Sequence, residues 1–187
     1  MFAMRKVLQV LAATLLSAVV PLAAQQKSGW EFAAGGGAGL PMGGFNDAFD
    51  IGWHATGAVS YSLKDLPLAF QVDVNYARFA DETPFTLYER LFYGTGNIIY
   101  QFRLSGTLLE PYAIGGAGVY NLDPQGADAA GLATKTKLGV NAGLGLMFRA
   151  TAVTGVFFES RFHEVVNGRG TEDMQFNNFT LGARFGI

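Results

Sequence analysis

The chain has 187 residues, 13 basic against 15 acidic, no cysteine and 25 glycines. A net charge of −2 with no basic face excludes a nucleic-acid binder, and the missing cysteines exclude disulfides, thiolate metal sites, cysteine nucleophiles and a lipid-carrying N-terminal cysteine. Glycine is nearly twice its usual share of about 7%, and it recurs inside alternating segments rather than in a linker.

The N-terminus has the layout of a secretory signal. Arg5 and Lys6 form a short basic region, Val7 to Val20 is apolar apart from Gln9, Thr14 and Ser17, and Pro21-Leu22-Ala23-Ala24 follows. The apolar run is too short to cross a bilayer comfortably, so cleavage is expected after Ala24. Residues 1–24 then form the signal peptide and 25–187 a single domain. Loss of Arg5 and Lys6 leaves 11 basic against 15 acidic residues, a balance of −4.

Eight segments of strict two-residue period follow. The first, Trp30 to Leu40, sets Trp30, Phe32, Ala34, Gly36, Ala38 and Leu40 against Glu31, Ala33, Gly35, Gly37 and Gly39. In the second, Ile51 to Leu63, Trp53, Val59 and Tyr61 oppose His54, Ser60 and Ser62. The third sets Leu68, Phe70, Val72, Val74 and Tyr76 against Gln71, Asp73 and Asn75; the fourth sets Phe92, Ile98, Tyr100 and Phe102 against Thr95, Asn97 and Arg103. The fifth places Tyr112, Ile114, Gly116, Gly118, Tyr120 and Leu122 on its apolar side. The sixth sets Leu138, Val140, Leu144, Leu146 and Phe148 against Lys137, Asn141 and Arg149; the seventh sets Val156, Phe158 and Phe162 against Glu159, Arg161 and His163. The eighth runs from near Met174 to Ile187, with Phe179, Leu181, Ala183, Phe185 and Ile187 on one face and Thr180, Gly182, Arg184 and Gly186 on the other. Such alternation is a strand signal, and interior glycines would cost a helix about 1 kcal/mol each.

The connections after segments two, four and six (64–67, 104–109 and 150–153) are short, whereas those near 41–50, 80–90, 121–135 and 166–173 are longer and more polar. Short turns at one end and long loops at the other are the pattern of an outer-membrane barrel with periplasmic turns. Segments of about 10 residues match the crossing length of tilted strands. An even strand number returns both termini to the periplasmic side.

Period alone does not say whether the apolar face meets lipid or a soluble core, and a secreted lipocalin-type barrel is the alternative. Two features favour lipid. The polar face is mostly Gly, Ala, Ser, Thr and Asn, small enough for a narrow eight-stranded interior. The aromatics Trp30, Trp53, Tyr61, Tyr76, Phe92, Phe102, Tyr112, Tyr120 and Phe148 lie near segment ends on the apolar face, where interfacial girdles belong. The expected fold is an all-β, eight-stranded, antiparallel up-and-down transmembrane barrel. In lipid the last segment must pair with the first, since unpaired backbone groups cost several kcal/mol each.

The chain resembles the small eight-stranded outer-membrane β-barrel proteins, the group containing the transmembrane domain of outer-membrane protein A and outer-membrane protein X. The resemblance covers 25–187 and rests on the strand count, the alternation of turns and loops, and the end Leu181-Gly-Ala-Arg-Phe185-Gly-Ile187. It implies that the C-terminal strand is read by the barrel-assembly machinery. Ile187 stands where Phe is commonest, with Phe185 two residues earlier.

Glu31, Asp73, Arg103, Glu159, Arg161, His163 and Arg184 phase inward and are expected to form a lumen ion-pair network, with Arg184 a partner of Glu159. Lys137 and Arg149 share that phase. Enzymatic readings lack their residues. Outer-membrane lipid A deacylases carry His-X-Ser on the outer surface, but here His163-Glu164-Val165 has no serine and His163 phases inward. Proteases of the omptin type need ten strands. Gly35-Gly36-Gly37-Ala38-Gly39 lacks the Lys-Ser/Thr of a phosphate loop, and His54, Asp73 and His163 have no metal-ligand spacing. The long loops carry Asp47, Asp50, Asp81, Glu82, Glu89, Asp123, Asp128, Glu172 and Asp173 against Arg90, Lys135 and Arg169.

The expected function is therefore an integral outer-membrane barrel with a structural or surface-interaction role, its lumen plugged by side chains. No catalysis, cofactor, metal or nucleic acid is expected. Its partners are outer-membrane lipids and, during biogenesis, the assembly machinery, and it is a monomer. The alternative is a narrow porin-like channel or small-ligand transporter.

Overall fold

The computed structural model describes residues 29–47, 49–80, 88–102, 104, 107–126, 133–151, 153–166 and 173–187. The signal peptide, Arg103 and the acidic residues Asp81, Glu82, Asp128 and Glu172 lie outside them, as does Arg169. Eight strands run in chain order: β1 Gly29–Met42, β2 Gly52–Ser62, β3 Leu68–Ala80, β4 Tyr88–Gln101, β5 Leu109–Gln125, β6 Lys135–Arg149, β7 Thr154–Val165 and β8 Met174–Gly186. A 3-10 turn, Gly43–Phe45, follows β1.

Each strand pairs antiparallel with the next, and β8 closes on β1 from Glu31↔Gly186 to Met42↔Gln175. Ile187 N–H donates to the Trp30 carbonyl at 3.0 Å, so the two ends of the described chain meet at one rim. Closure leaves no strand edge, the condition for a sheet to cross hydrocarbon.

The surface is inverted relative to a soluble barrel. Val72, Leu144, Leu181 and Leu138 are 62–69% exposed, whereas Asp73, Glu159, Arg161 and Arg184 are buried. An apolar coat of this extent needs a non-aqueous partner, which removes the lipocalin alternative. The spanning segments read directly from the outward faces of β3 and β4, where Leu68–Tyr76 and Phe92–Tyr100 are free of charge. Trp30–Tyr61 and Tyr100–Phe102 pack at 5.0 and 5.1 Å near the rim that holds the termini, and Trp53–Tyr76 at 5.3 Å toward the other rim.

Two expectations need correction. First, β5 has the opposite phase. Tyr112, Ile114 and Tyr120 are buried in the lumen, while Pro111, Ala113, Gly115, Ala117 and Val119 face outward. Tyr112 and Tyr120 are therefore not girdle residues. Both faces of this strand are apolar, so hydropathy cannot phase it; the hydroxyls settle the matter by finding partners inside. The rings fit because β6 supplies glycines beside them, Gly145 directly opposite Tyr112 and Gly139 diagonal to Tyr120. A Cβ on Gly145 would lie 2.1 Å from Tyr112 Cζ, and one on Gly139 2.7 Å from Tyr120 Cε2. Second, residues 88–90 and 121–125 are strand rather than loop, because the β4–β5 ladder extends to Tyr88↔Gln125.

Candidate functional site

The lumen is the only place where buried polar side chains converge among the described residues. Asp73, in the middle of β3, is its centre. Its carboxylate accepts from Gln71 Nε2 at 3.0 Å and Asn75 Nδ2 at 2.7 Å, one inward step away on either side. Thr95, directly opposite on β4, donates at 2.6 Å, and Asn97 Nδ2 at 2.8 Å. The fifth donor crosses the lumen: Arg161 Nη1 on β7, at 2.9 Å. Strand period delivers the first four donors, and barrel closure delivers the fifth.

Arg161 also binds Glu159, through Nη2 at 2.6 Å and Nε at 2.8 Å. The other Glu159 oxygen accepts from Tyr112 OH at 2.9 Å. One guanidinium thus bridges two carboxylates in a fork geometry. A second cluster lies toward the termini. Glu31 accepts from Arg149 Nη1 at 2.9 Å and lies 3.4 Å from Arg184 Nη1, while Arg149 Nε also donates to Glu110 at 2.8 Å. Arg184 Nη2 donates to Gln71 Oε1 at 3.1 Å, joining this cluster to the Asp73 centre.

The structure thus brings together Glu31, Asp73, Glu159, Arg161 and Arg184. Arg184, however, takes Glu31 and Gln71 rather than Glu159. His163 belongs to a different layer and makes no ion pair among the described residues: its Nδ1 lies 2.9 Å from Tyr120 OH and its ring stacks on Phe176 at 4.7 Å. Glu110 and Tyr112 carry no inward signal in the sequence, because both faces of β5 are apolar. Arg149 shares the inward phase, and its tie to Glu31 is visible only after closure.

Apolar clusters flank the charges. Toward the loop end, Phe79, Leu91, Tyr93, Tyr120, Val165 and Phe176 are fully or almost fully buried, with Phe45 and Phe49 of the 43–51 connection packed on them. Toward the termini lie Ala69, Ile99, Tyr112, Ile114, Met147 and Phe157. Two cavities beside the charged network hold about 10 Å³ each, one lined by Glu159, His163 and Thr180 and one by Gln71, Phe157 and Arg184. That is room for about one water.

Catalytic and metal constellations are not assembled among the described residues. Glu164 faces outward, on the opposite side of β7 from His163, so the two cannot act together. Ser160 also faces outward, where it pairs with Asn177 at 3.1 Å. Among the described residues, no group of three His, Asp or Glu side chains could hold a metal ion.

At the loop rim, beyond the spanning part of β4, Glu89 points inward. Burial, reinforced by the negative charge of Asp123, pushes its carboxyl up to about 7. Asp123 is held below the usual carboxylate range, chiefly by its hydrogen bond from Arg90.

Residues 10–185 match the family model described as outer membrane protein beta-barrel domain. The chain belongs to this outer-membrane β-barrel family. Its location is accordingly the outer membrane. Solved barrels of the same architecture include Neisserial surface protein A (NspA), at TM-score 0.68 and 14% identity over 87% of this chain and 100% of that one. Ail, the attachment invasion locus protein of Yersinia pestis, has TM-score 0.60 and 13% identity over 87% and 100%. The outer-membrane enzyme PagL has TM-score 0.54 and 14% identity over 84% and 99%. Identities this low show a shared fold, and the fold carries both enzymes and surface proteins. No curated protein matches the chain by sequence.

Proposed function

We propose that this outer-membrane barrel is a sealed, non-catalytic monomer with a structural or surface-interaction role. The observation that carries the reading is the filled lumen. A charged network spans its middle, apolar clusters flank it on both sides, and two cavities beside the network admit about one water each. An ion would have to shed its water and displace several packed rings at once.

The long-loop rim faces outward and both termini lie in the periplasm, in keeping with short turns on the periplasmic side of such barrels. The chain is exported by a signal peptide cleaved after Ala24 and enters the membrane through the barrel-assembly machinery. Outer-membrane lipids cover its apolar coat. Enzymatic chemistry of the lipid A deacylase kind has no support in the placement of His163, Glu164 and Ser160 on opposed faces of β7.

Planar-bilayer recording tests the sealed lumen. Purified, folded protein is expected to give no reproducible conductance steps; discrete, reproducible steps would establish the narrow channel instead. Protease accessibility of the loops on intact cells tests the orientation.

A further inference from the structure

We infer that Arg78 and Arg90 form a binding site for the phosphate of a membrane-lipid headgroup on the outer wall of the barrel. The spanning faces of β3 and β4 end at Tyr76 and Phe92, and the next outward residue on each strand is an arginine. The two are directly opposite one another in the ladder, in a row reading Trp53↔Arg78↔Arg90↔Asp123. Each uncharged span is about nine residues, the length of a membrane crossing, which sets both guanidinium groups at headgroup depth.

Two like charges placed opposite each other across a ladder repel. Asp123 answers only one of them. It pairs with Arg90 and also accepts from Thr134 at 2.9 Å and Gln125 at 3.0 Å, so its oxygens are already shared. Arg78 has no carboxylate partner among the described residues; its guanidinium lies over the Tyr88 ring, 4.0 Å from the centroid. Stacking of that kind orients an arginine while leaving its N–H edge free, and a guanidinium edge matches phosphate oxygens in pairs.

The rest of this rim does not repeat the arrangement. On the other described strands the outward residues at this end are Met42, Thr136, Glu164 and Gln175, none of them basic. Among the described residues, the outward-facing arginines at this rim are Arg78 and Arg90, beside the Trp53–Tyr76 pair, whose rings suit the boundary between acyl chains and headgroups. A phosphate with attached acyl chains would place its charge on the arginines and its chains on Val74, Phe92 and Gly94 below. The inference depends on the proposed orientation only for which leaflet supplies the lipid.

The test uses full-length mature protein folded in non-ionic detergent, titrated with phosphatidic acid or with diacylglycerol and read by native mass spectrometry. One phosphatidic acid is expected to bind at least about tenfold more tightly than diacylglycerol, given the attraction of each basic side chain for anionic lipid. R78Q, which leaves the Arg90–Asp123 pair intact, should lose about fivefold, and R78Q/R90Q should fall to the diacylglycerol level. Heat-modifiable migration verifies that each variant is folded. Unchanged binding in R78Q overturns the site, as does equal affinity for the two lipids. Inositol hexakisphosphate is the soluble arm: if it binds as tightly as phosphatidic acid with the same sensitivity to R78Q, the lipid source is overturned. None of these readouts depends on which rim faces outward, so loop protease accessibility on cells decides the orientation separately.

Discussion

Replacing Arg161 with methionine tests the lumen network at its most connected point. The side chain is 8% exposed and bridges Asp73 and Glu159, which are 0% and 5% exposed. Methionine fills much of the volume but leaves both carboxylates without their cation. Asp73 keeps four neutral donors, Gln71, Asn75, Thr95 and Asn97, whereas Glu159 keeps only Tyr112. Breaking a buried pair from one side costs about 3–5 kcal/mol, a large part of the roughly 5–15 kcal/mol of a typical fold. Because Glu159 bears most of the uncompensated charge, R161M/E159Q should recover part of the loss, with a coupling of about 1–3 kcal/mol. Urea titration in neutral-lipid vesicles, followed by Trp30 and Trp53 fluorescence and by gel mobility without boiling, measures each corner of the cycle. A cost for R161M below about 1 kcal/mol, or strict additivity with E159Q, would refute the bridge as the organising contact. R161M should also remain non-conducting in planar bilayers, since the aromatic cluster at the loop end is untouched.

Gly145→Ala forces a Cβ into the Tyr112 ring and should cost about 1–3 kcal/mol by overpacking, whereas Tyr112→Phe should cost about 1–2 kcal/mol through its lost bond to Glu159; the same urea titration compares them. Val72→Arg places a charge on the lipid face within the span and should cost about 2–4 kcal/mol, against about 0–1 for Ala80→Arg beyond it. Equal costs would contradict the assigned membrane boundaries. Glu89 should make stability fall with rising pH. Its folded carboxyl titrates at about 7 against an ordinary value of 4.5, so the contribution is full below about 4.5 and is lost as pH rises through 7. The loss is at most about 3 kcal/mol. Comparison of wild type with E89Q at pH 5 and pH 8 isolates it, and an identical pH dependence in both would rule it out.

Period-two patterning made the strands legible, because on a pleated strand each residue commits its side chain to one face. For seven strands one face was plainly richer in charge or small polar groups, so the lumen side could be chosen from composition. β5 failed for the reason that it worked elsewhere: Tyr112, Ile114 and Tyr120 on one face and Ala113, Ala117 and Val119 on the other are both apolar. Its lumen face is decided by the glycines beside it on β6 and by acceptors on β7, neither of which is local. The strand extensions at 88–90 and 121–125 were hidden by Glu89, Arg90, Asp123 and Pro124, polar or turn-forming residues that read as loop until the ladder is seen to continue.

The sequence by itself determined that this chain crosses a membrane as a closed antiparallel barrel, because the crossing length, the alternation and the need to pair every backbone group leave little else. It also named Glu31, Asp73, Glu159, Arg161 and Arg184 as inward-facing charges. Which of them meet was decided only by the tertiary structure. Arg161 and Asp73 are 88 positions apart and meet across the lumen, and Arg184 and Glu31 are 153 apart and meet across the seam where β8 closes on β1. Strand period fixes the face on which a side chain lies. Barrel closure and stagger set its height and its partner across the lumen.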